Sequence, residues 1–192
     1  QVNEKLAFYY NIKNAIERTA HQFTVGPSHL RWENNSLTIQ IDERVPLLGN
    51  KVQGSIKVFP EQLFKQVVTL DDQGKHRWGP IAPSARVEVS FTNPSLEWNG
   101  NAYFDSNEGD EAISKPFSEW DWSRAHLKDG STAVIYDVRQ KNGLERVIAS
   151  KFNLDGNIES FSPPERVLLR KTGWGIQRNM RSEADGNTPT VA

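Results

Sequence analysis

Cysteine is absent from the 192 residues of this chain, and methionine occurs only once. Without cysteine the chain has no disulfide framework, no thiolate ligand for a metal and no cysteine nucleophile. This absence is compatible with the cytoplasm, where we expect the protein to lie. Any chemistry must therefore come from oxygen and nitrogen side chains.

An excess of charge of one sign is absent as well. Lys and Arg number 23 and Asp and Glu 24, and the basic residues are dispersed. A nucleic-acid-binding surface needs clustered positive charge, so no nucleic-acid partner is expected. The apolar runs are far shorter than the roughly 20 residues that a transmembrane helix requires. We therefore expect any membrane contact to be peripheral, at the inner membrane.

Several catalytic motifs are missing. There is no Gly-x-Ser-x-Gly elbow, no phosphate-binding glycine loop and no dinucleotide fingerprint. The four histidines, His21, His29, His76 and His126, lack a metal-ligand spacing such as His-x-x-x-His. Nothing here supports a serine hydrolase, a kinase or a dehydrogenase, and neither a metal nor a cofactor is expected. A cofactor-free acid site or a binding cavity remains.

Short β-favouring runs alternate with turn residues at intervals of about ten from residue 22 onward, a pattern typical of an all-β sandwich or barrel. Asn-Gly and Asp-Gly pairs supply the positive φ angles of tight hairpins, so an antiparallel meander is the simplest arrangement. The predicted strands are 23–25, 36–43, 52–59, 67–70, 86–92, 98–105, 120–125, 132–139, 146–153 and 158–161.

Three other segments carry separate predictions. Residues 4–18 combine helical spacing with β-favouring aromatics and stay ambiguous. Residues 79–84 contain Pro80 and Pro83, which lack the backbone N–H that a strand ladder uses, so a rigid loop is predicted there. Residues 167–170 and 172–177 are predicted as terminal strands.

Aromatic and ionisable residues crowd together between residues 75 and 124, where four of the six tryptophans lie. Side chains two apart on a strand point to the same face. Tyr103 and Asp105 would therefore share one face, as would His76 and Trp78 if that segment is extended. These four side chains can line one cavity.

Asp105 and His76 are the candidates for acid–base chemistry, and each has a plainer alternative. A carboxyl group in an apolar cavity has a raised pKa and can act as a general acid near neutral pH. The alternative for Asp105 is a strand-end residue that caps the following turn. His76 could position or deprotonate a water, or it could be an exposed loop residue.

The tryptophans can serve as core packing or as the lining of a functional cavity. An aromatic cavity binds a long apolar ligand, or its π faces stabilise a cation. Trp120 and Trp122 would share a face with Arg124 if extended. Arg124 is interpreted as a structural ion-pair donor rather than a catalyst.

Four motifs together resemble a known family, the carotenoid 1,2-hydratases, also called hydroxyneurosporene synthases. They are His76-Arg77-Trp78-Gly79-Pro80-Ile81-Ala82-Pro83, Pro94-Ser95-Leu96-Glu97-Trp98, Gly100-Asn101-Ala102-Tyr103-Phe104-Asp105-Ser106-Asn107-Glu108-Gly109 and Phe117-Ser118-Glu119-Trp120-Asp121-Trp122-Ser123-Arg124-Ala125. Residues 26–32 and 173–178 resemble the same family in the same order. The resemblance covers most of the chain from about residue 23.

The resemblance implies an antiparallel, lipocalin-like (calycin-type) β architecture, usually as two barrel-like halves in proteins longer than this chain. We accordingly expect a segment of a two-lobed protein. Residues 1–21 would end a preceding lobe, residues 22–181 would form the β domain with the catalytic motifs, and residues 182–192 would be a loose, truncated end.

The reaction that the resemblance implies is the addition of water across the terminal double bond of an acyclic carotenoid such as neurosporene or lycopene. The family's catalytic acid falls on Asp105, and its supporting residues fall on His76, Trp78 and Tyr103. Protonation of the alkene leaves a tertiary cation, which the π faces of Trp78 and Tyr103 would stabilise by about 2 kcal/mol each. A water held by His76 would then add.

Substrate binding is predicted for Trp98, Trp120 and Trp122. Two other functional classes stay open. One is a non-enzymatic lipocalin-like carrier of an apolar isoprenoid or lipid, in which the same aromatics only line the cavity. The other is a carbohydrate-binding β-sandwich with exposed tryptophans.

Overall fold

Alternating side chains and tight turns build an antiparallel all-β fold in the computed structural model, which describes residues 16–45 and 49–183. The prediction for residues 4–15 and the one for the end of the chain beyond residue 183 lie outside these residues. The strands of the described part are β1 (Ile16–Arg18), β2 (Gln22–Val25), β3 (Ser28–Glu33), β4 (Ser36–Arg44), β5 (Lys51–Pro60), β6 (Val68–Thr69), β7 (His76–Asn93), β8 (Ser95–Gly109), β9 (Phe117–His126), β10 (Thr132–Gln140), β11 (Glu145–Phe152), β12 (Ile158–Ser160), β13 (Arg166–Leu168) and β14 (Asn179–Arg181). The expected all-β, antiparallel class is confirmed.

The chain divides into two compact units, and the long strands β7 and β8 contribute to both. The first unit contains residues 1–61 and 85–103. Its strands follow one another as antiparallel neighbours in the order β1-β2-β3-β4-β5-β7. A two-residue turn joins β3 to β4, because Glu33 pairs with Ser36 and both Asn34 and Asn35 have positive φ angles. Asparagine tolerates that conformation better than most residues, so an Asn-Asn pair can form this tight turn.

The second unit contains residues 62–84 and 104–192. Strands β9 to β12 form the predicted meander, a four-stranded sheet in the order β12-β11-β10-β9. The short β6 pairs with the first part of β7, and β13 pairs with β14. None of the described residues belongs to a helix long and apolar enough to span a membrane.

Aromatic side chains fill the core of the second unit. Trp78 is completely buried, and its ring packs at a tilt against Tyr136 and edge-on against Phe152. Phe64 packs edge-on against Phe152 in turn, with ring centroids 5.2 Å apart. Edge-to-face pairs of this kind add to the free energy gained by burial, about 0.5–1.5 kcal/mol each. Trp78 therefore lies at the centre of a rigid cluster.

The prediction of a loop at residues 79–84 is wrong, because β7 runs without interruption from His76 to Asn93. The register of β7 with β6 ends at Trp78, and its register with β5 begins at Ala85. Pro80 and Pro83 lie between these two registers, so their missing N–H groups interrupt neither the β6 ladder nor the β5 ladder; β7 also pairs with β8. A buried extended segment with two prolines is possible for that reason.

The predicted strands at the end of the chain are shifted. Strand β13 overlaps the strand predicted at 167–170, but the strand predicted at 172–177 is wrong, because these residues form the connection to β14, which begins only at Asn179. Thr172 holds this turn, since its carbonyl and hydroxyl oxygens accept hydrogen bonds from the Gly175 and Ile176 backbone N–H groups. Strand β3 was not predicted.

Candidate functional site

Asp105 and Trp78 are brought together directly. The indole Nε1 of Trp78 donates a hydrogen bond to Asp105 Oδ2 at 2.9 Å. An indole N–H can only donate, so this contact fixes the position of a carboxyl oxygen. Trp78 is fully buried on β7, whereas Asp105 is half-buried near the end of β8. A rigid aromatic residue thus holds a carboxyl group that is not sealed in the core.

Tyr136 on β10 is a further member of this cluster. Its ring centroid lies 5.5 Å from that of Trp78, and its hydroxyl group donates to Asn107 Oδ1 at 3.2 Å. Burial raises the pKa of Tyr136, and the negative charge of Asp105 adds to the effect. The phenol therefore stays protonated near neutral pH. The sequence did not single out Tyr136 or Asn107, because neither belongs to a recognisable spacing pattern.

His76 is buried at the start of β7, where protein groups surround its ring. Nε2 lies 3.2 Å from the backbone oxygen of Glu111, and Nδ1 lies 3.8 Å from Asp71 Oδ2. The carbonyl oxygen only accepts, so Nε2 carries the proton. A Cβ atom at Gly109 would come within 3.0 Å of the ring, which makes glycine the residue that leaves room for His76. The plainer alternative of an exposed loop histidine is therefore wrong.

Asp71 positions the backbone that leads into β7. Its carboxylate accepts hydrogen bonds from the His76 N–H at 2.8 Å and from the Lys75 N–H at 3.3 Å. Burial acts to raise the pKa of Asp71, but these hydrogen bonds outweigh burial and leave the pKa lowered. Asp71 is therefore an ionised acceptor that fixes His76.

A cleft of about 210 Å³ extends from His76 to Asn107. His76 and Asn107 both line it, together with Leu70, Ile113 and Phe117. Asn107 is exposed, and its side-chain oxygen accepts the hydrogen bond from Tyr136. Asn107 therefore lies where the cleft and the Tyr136–Trp78–Asp105 cluster meet.

Strands β9 and β10 present an aromatic face. Trp122 lies opposite Tyr136 in their register, and Trp120 lies opposite Val138. Residues directly opposite in an antiparallel pair project from the same face, so both tryptophans lie on the face of Tyr136. Trp120 is 47% exposed and Trp122 is 38% exposed. We call this surface, formed by Trp120, Trp122 and Tyr136, the aromatic face.

The three remaining residues predicted for the site are Arg124, Tyr103 and Trp98. Arg124 is exposed on β9, opposite Val134, and so follows Trp120 and Trp122 on the same face as predicted. Tyr103 is half-buried, two residues before Asp105 on β8. Trp98 belongs to the first unit, where it is half exposed beside a cleft also lined by Lys57 and Glu88.

The opposite face of β9 and β10 is ionic. Asp137 is 2% exposed, and its Oδ2 lies 2.7 Å from both Arg166 Nη2 of β13 and Arg181 Nε of β14. Asp121, opposite Asp137 in the register, lies 3.5 Å from Arg166 Nη2. Burial raises the pKa of Asp121, and the negative charge of Glu119 raises it further. We call Asp121, Asp137, Arg166 and Arg181 the ionic face.

These observations define an all-β, lipocalin-like protein in which a buried tryptophan holds a carboxyl group beside an aromatic face. A solved structure shares the fold: an AttH-type protein of Nitrosomonas europaea matches with a TM-score of 0.53 at 14% identity, over 82% of this chain and 50% of that one. The chain belongs to the carotenoid hydratase CrtC family, whose model matches residues 3–192.

Three curated relatives share the description acyclic carotenoid 1,2-hydratase. The protein from Rubrivivax gelatinosus is 51% identical over 88% of this chain and 41% of its own length. The protein from Thiocapsa roseopersicina is 40% identical over 90% of this chain and 42% of its own length. The protein from Rhodobacter capsulatus is 36% identical over 93% of this chain and 64% of its own length. The chain thus spans less than two thirds of the length of these relatives.

Proposed function

We propose that the full-length protein catalyses hydration of the terminal 1,2 double bond of an acyclic carotenoid, with Asp105 as the acid. Membership of the hydratase family and the names of the relatives support the reaction. The hydrogen bond from Trp78 to Asp105 is the observation that carries the assignment of the acid. It holds a half-buried carboxyl group in a cluster with Tyr136, whose strand face also carries the exposed rings of Trp120 and Trp122, to which a long apolar chain can bind.

An isolated alkene is a weak base, so the reaction needs a neutral carboxylic acid close to the less substituted carbon of the double bond. Asp105 would donate its proton to C2, and the π electrons would form the new C–H bond. The positive charge then lies on the tertiary carbon C1. Water adds through its oxygen, and the surplus proton returns to Asp105, so that the acid is regenerated.

The geometry changes the role that we assign to Trp78. Its ring is fully buried between Tyr136 and Phe152, and its N–H group faces Asp105. We therefore infer that Trp78 positions the acid, while aromatic rings on exposed surface contact the substrate. Trp120 and Trp122 fit that part, since both project from the aromatic face.

Expression of the full-length gene in cells that accumulate lycopene or neurosporene tests this function. We expect chromatography and mass spectrometry to find a product heavier by one water with the native protein and none with Asp105→Asn at equal soluble protein. Product from both proteins would remove Asp105 from the acid role. Pigment that copurifies with folded native protein, without product, would instead support a carrier.

We also propose peripheral contact with an anionic membrane, because the substrate partitions into lipid. Residues 166–181 contain no Asp or Glu and three basic residues outside the ionic face, Arg170, Lys171 and Arg178, and Trp174 is 92% exposed in the turn between β13 and β14. Basic residues near an anionic surface contribute about 1 kcal/mol each, and tryptophan favours the interface. Full-length protein should sediment with phosphatidylglycerol vesicles, and less so as Trp174→Ala. Equal sedimentation would exclude this surface.

A further inference from the structure

We propose that Tyr136 and Asn107 hold the water that adds to the cation, as positioning residues for the reaction. The inference rests on the proposed function and names the groups that direct its second half. Neither residue was among those expected from the sequence. Both lie in the second unit, in the same hydrogen-bonded and ring-stacked cluster as Asp105 and Trp78.

His76 is poorly placed for this task. Nε2 is used by the Glu111 carbonyl oxygen at 3.2 Å, and Nδ1 faces the Asp71 carboxylate at 3.8 Å. The ring is also packed edge-on against Phe117, with centroids 5.1 Å apart. To bind a water, Nε2 would have to give up its contact with the Glu111 carbonyl oxygen, whereas Nδ1 makes no hydrogen bond but is buried and faces Asp71 rather than solvent. His76 therefore shapes the cleft, and another polar group must hold the water.

Tyr136 has the chemistry that His76 lacks. Its one hydroxyl proton is directed to Asn107 Oδ1, which leaves the lone pairs of Oη available as acceptors. A water that donates a hydrogen bond to Oη turns its own lone pair toward the cation. The phenol neither gains nor loses a proton in this step, as expected of a buried tyrosine beside a carboxylate.

Asn107 connects this group to the solvent. It is exposed, lines the cleft beside His76, and lies two residues after Asp105 on β8. Side chains two apart on a strand share a face, so Asn107 and Asp105 project in the same direction. Water can therefore enter through the cleft, be held at Asn107 and Tyr136, and release its proton to the Asp105 carboxylate after addition.

The two halves of the reaction can be measured separately in D₂O. Asp105 delivers deuterium to C2, and the cation then either captures water or loses a proton. If the water is badly held, the cation loses a proton instead of adding water, and loss of the hydrogen that C2 carried from the start returns the alkene with deuterium at C2. Loss of a proton from a methyl group would give the isomer with a terminal methylene. Both by-products are distinguished from the alcohol by mass spectrometry and NMR.

The experiment uses purified full-length protein, an acyclic carotenoid in detergent micelles, and the variants Tyr136→Phe and Asn107→Leu. We expect Tyr136→Phe to lower alcohol formation at least tenfold while deuterium exchange into substrate persists or rises. Asn107→Leu should show the same change to a smaller extent. Ser118→Ala is the matched control, since it removes a hydroxyl group that donates at the same 3.2 Å, to Arg139 O, on the exposed part of β9.

Two results would overturn the inference. One is alcohol formation by Tyr136→Phe at the rate of the control. The other is an equal loss of alcohol and of deuterium exchange in folded Tyr136→Phe, since that would place Tyr136 with proton donation. If the native protein neither hydrates nor exchanges, the proposed function itself fails, which is a separate outcome.

Discussion

The two faces of strands β9 and β10 differ completely although the same two strands build both. One face presents Trp120, Trp122 and Tyr136 beside the Trp78–Asp105 pair. The other presents Asp121 and Asp137 to two arginines of the β13–β14 hairpin. Alternation along a strand with a period of two is enough to separate them.

The difference teaches that polarity alone does not locate a site. The ionic face carries more formal charge, yet Asp137 is bound to two arginines and lies almost without solvent contact. The aromatic face is partly open, and the neighbouring Asp105 carboxyl group accepts a hydrogen bond from the neutral N–H of Trp78. We therefore assign stability to the ionic face and chemistry to the aromatic face.

The largest expected effect on stability comes from the ionic face. Asp137→Asn leaves Arg166 and Arg181 without their shared counter-charge, and breaking a buried pair of this kind costs about 3–5 kcal/mol. Urea unfolding should show the loss. Asp42→Asn is the control, because its pair with Lys51 is much more exposed and should contribute at most about 1 kcal/mol. Equal losses of stability in Asp137→Asn and Asp42→Asn would contradict the stabilising role assigned to the ionic face.

Trp78→Phe should lower the hydration rate by more than its loss of folding stability can explain. The change keeps an aromatic ring but removes the N–H donor to Asp105, so we expect a tenfold to hundredfold lower hydration rate, about 1.5–3 kcal/mol. Phe152→Leu is the matched core variant, since Phe152 packs edge-on against Trp78 but has no polar group that could hold Asp105. A similar rate for both variants at equal stability would contradict the positioning of Asp105 by Trp78.

Trp122→Leu should raise KM several-fold with kcat nearly unchanged. An exposed ring that contacts a long substrate away from the reacting carbon contributes equally to ground-state and transition-state binding. Steady-state kinetics on the full-length protein measures this change. The same measurement on Trp98→Leu tests the prediction that Trp98 also binds substrate. A fall in kcat for Trp122→Leu would place that ring at the reacting end.

The smallest expected effect is that of Asp121→Asn. Because the pKa of Asp121 is raised in the folded state, that state binds more protons than the unfolded one, and stability falls as pH rises through the folded pKa. The amide removes this loss. We expect a gain of less than about 1 kcal/mol at neutral pH and a flatter stability profile in the acid range. If urea unfolding showed that the stability of Asp121→Asn falls more steeply with pH than that of the native protein, the predicted direction would be wrong.

Much of the strand pattern was predictable because its signals are local. Strand β4 begins at Ser36 as predicted, since alternation and the preceding Asn34-Asn35 turn both lie within a few residues. The loop predicted at Pro80 and Pro83 failed for a non-local reason. Whether a proline interrupts a ladder depends on which strands pair beside it, and local sequence does not specify that.

The site was predictable only in part. The two hydrogen bonds that define the site join residues far apart in the sequence: Trp78 and Asp105 are 27 positions apart, and Tyr136 and Asn107 are 29 positions apart. Alternation placed Tyr103 with Asp105 and His76 with Trp78 and predicted that the four could line one cavity, and the family resemblance supplied their roles. Tyr136 lies between Val134 and Val138 in an apolar alternation, which is typical of any core strand.

The most direct test of the division between the two faces compares native full-length protein with Asp105→Asn and Asp137→Asn. The hydration rate per folded molecule and the urea midpoint are measured on the same preparations. We predict that Asp105→Asn loses hydration with its midpoint nearly unchanged, whereas Asp137→Asn keeps hydration per folded molecule with a much lower midpoint. Hydration by folded Asp105→Asn at the native rate would contradict the account.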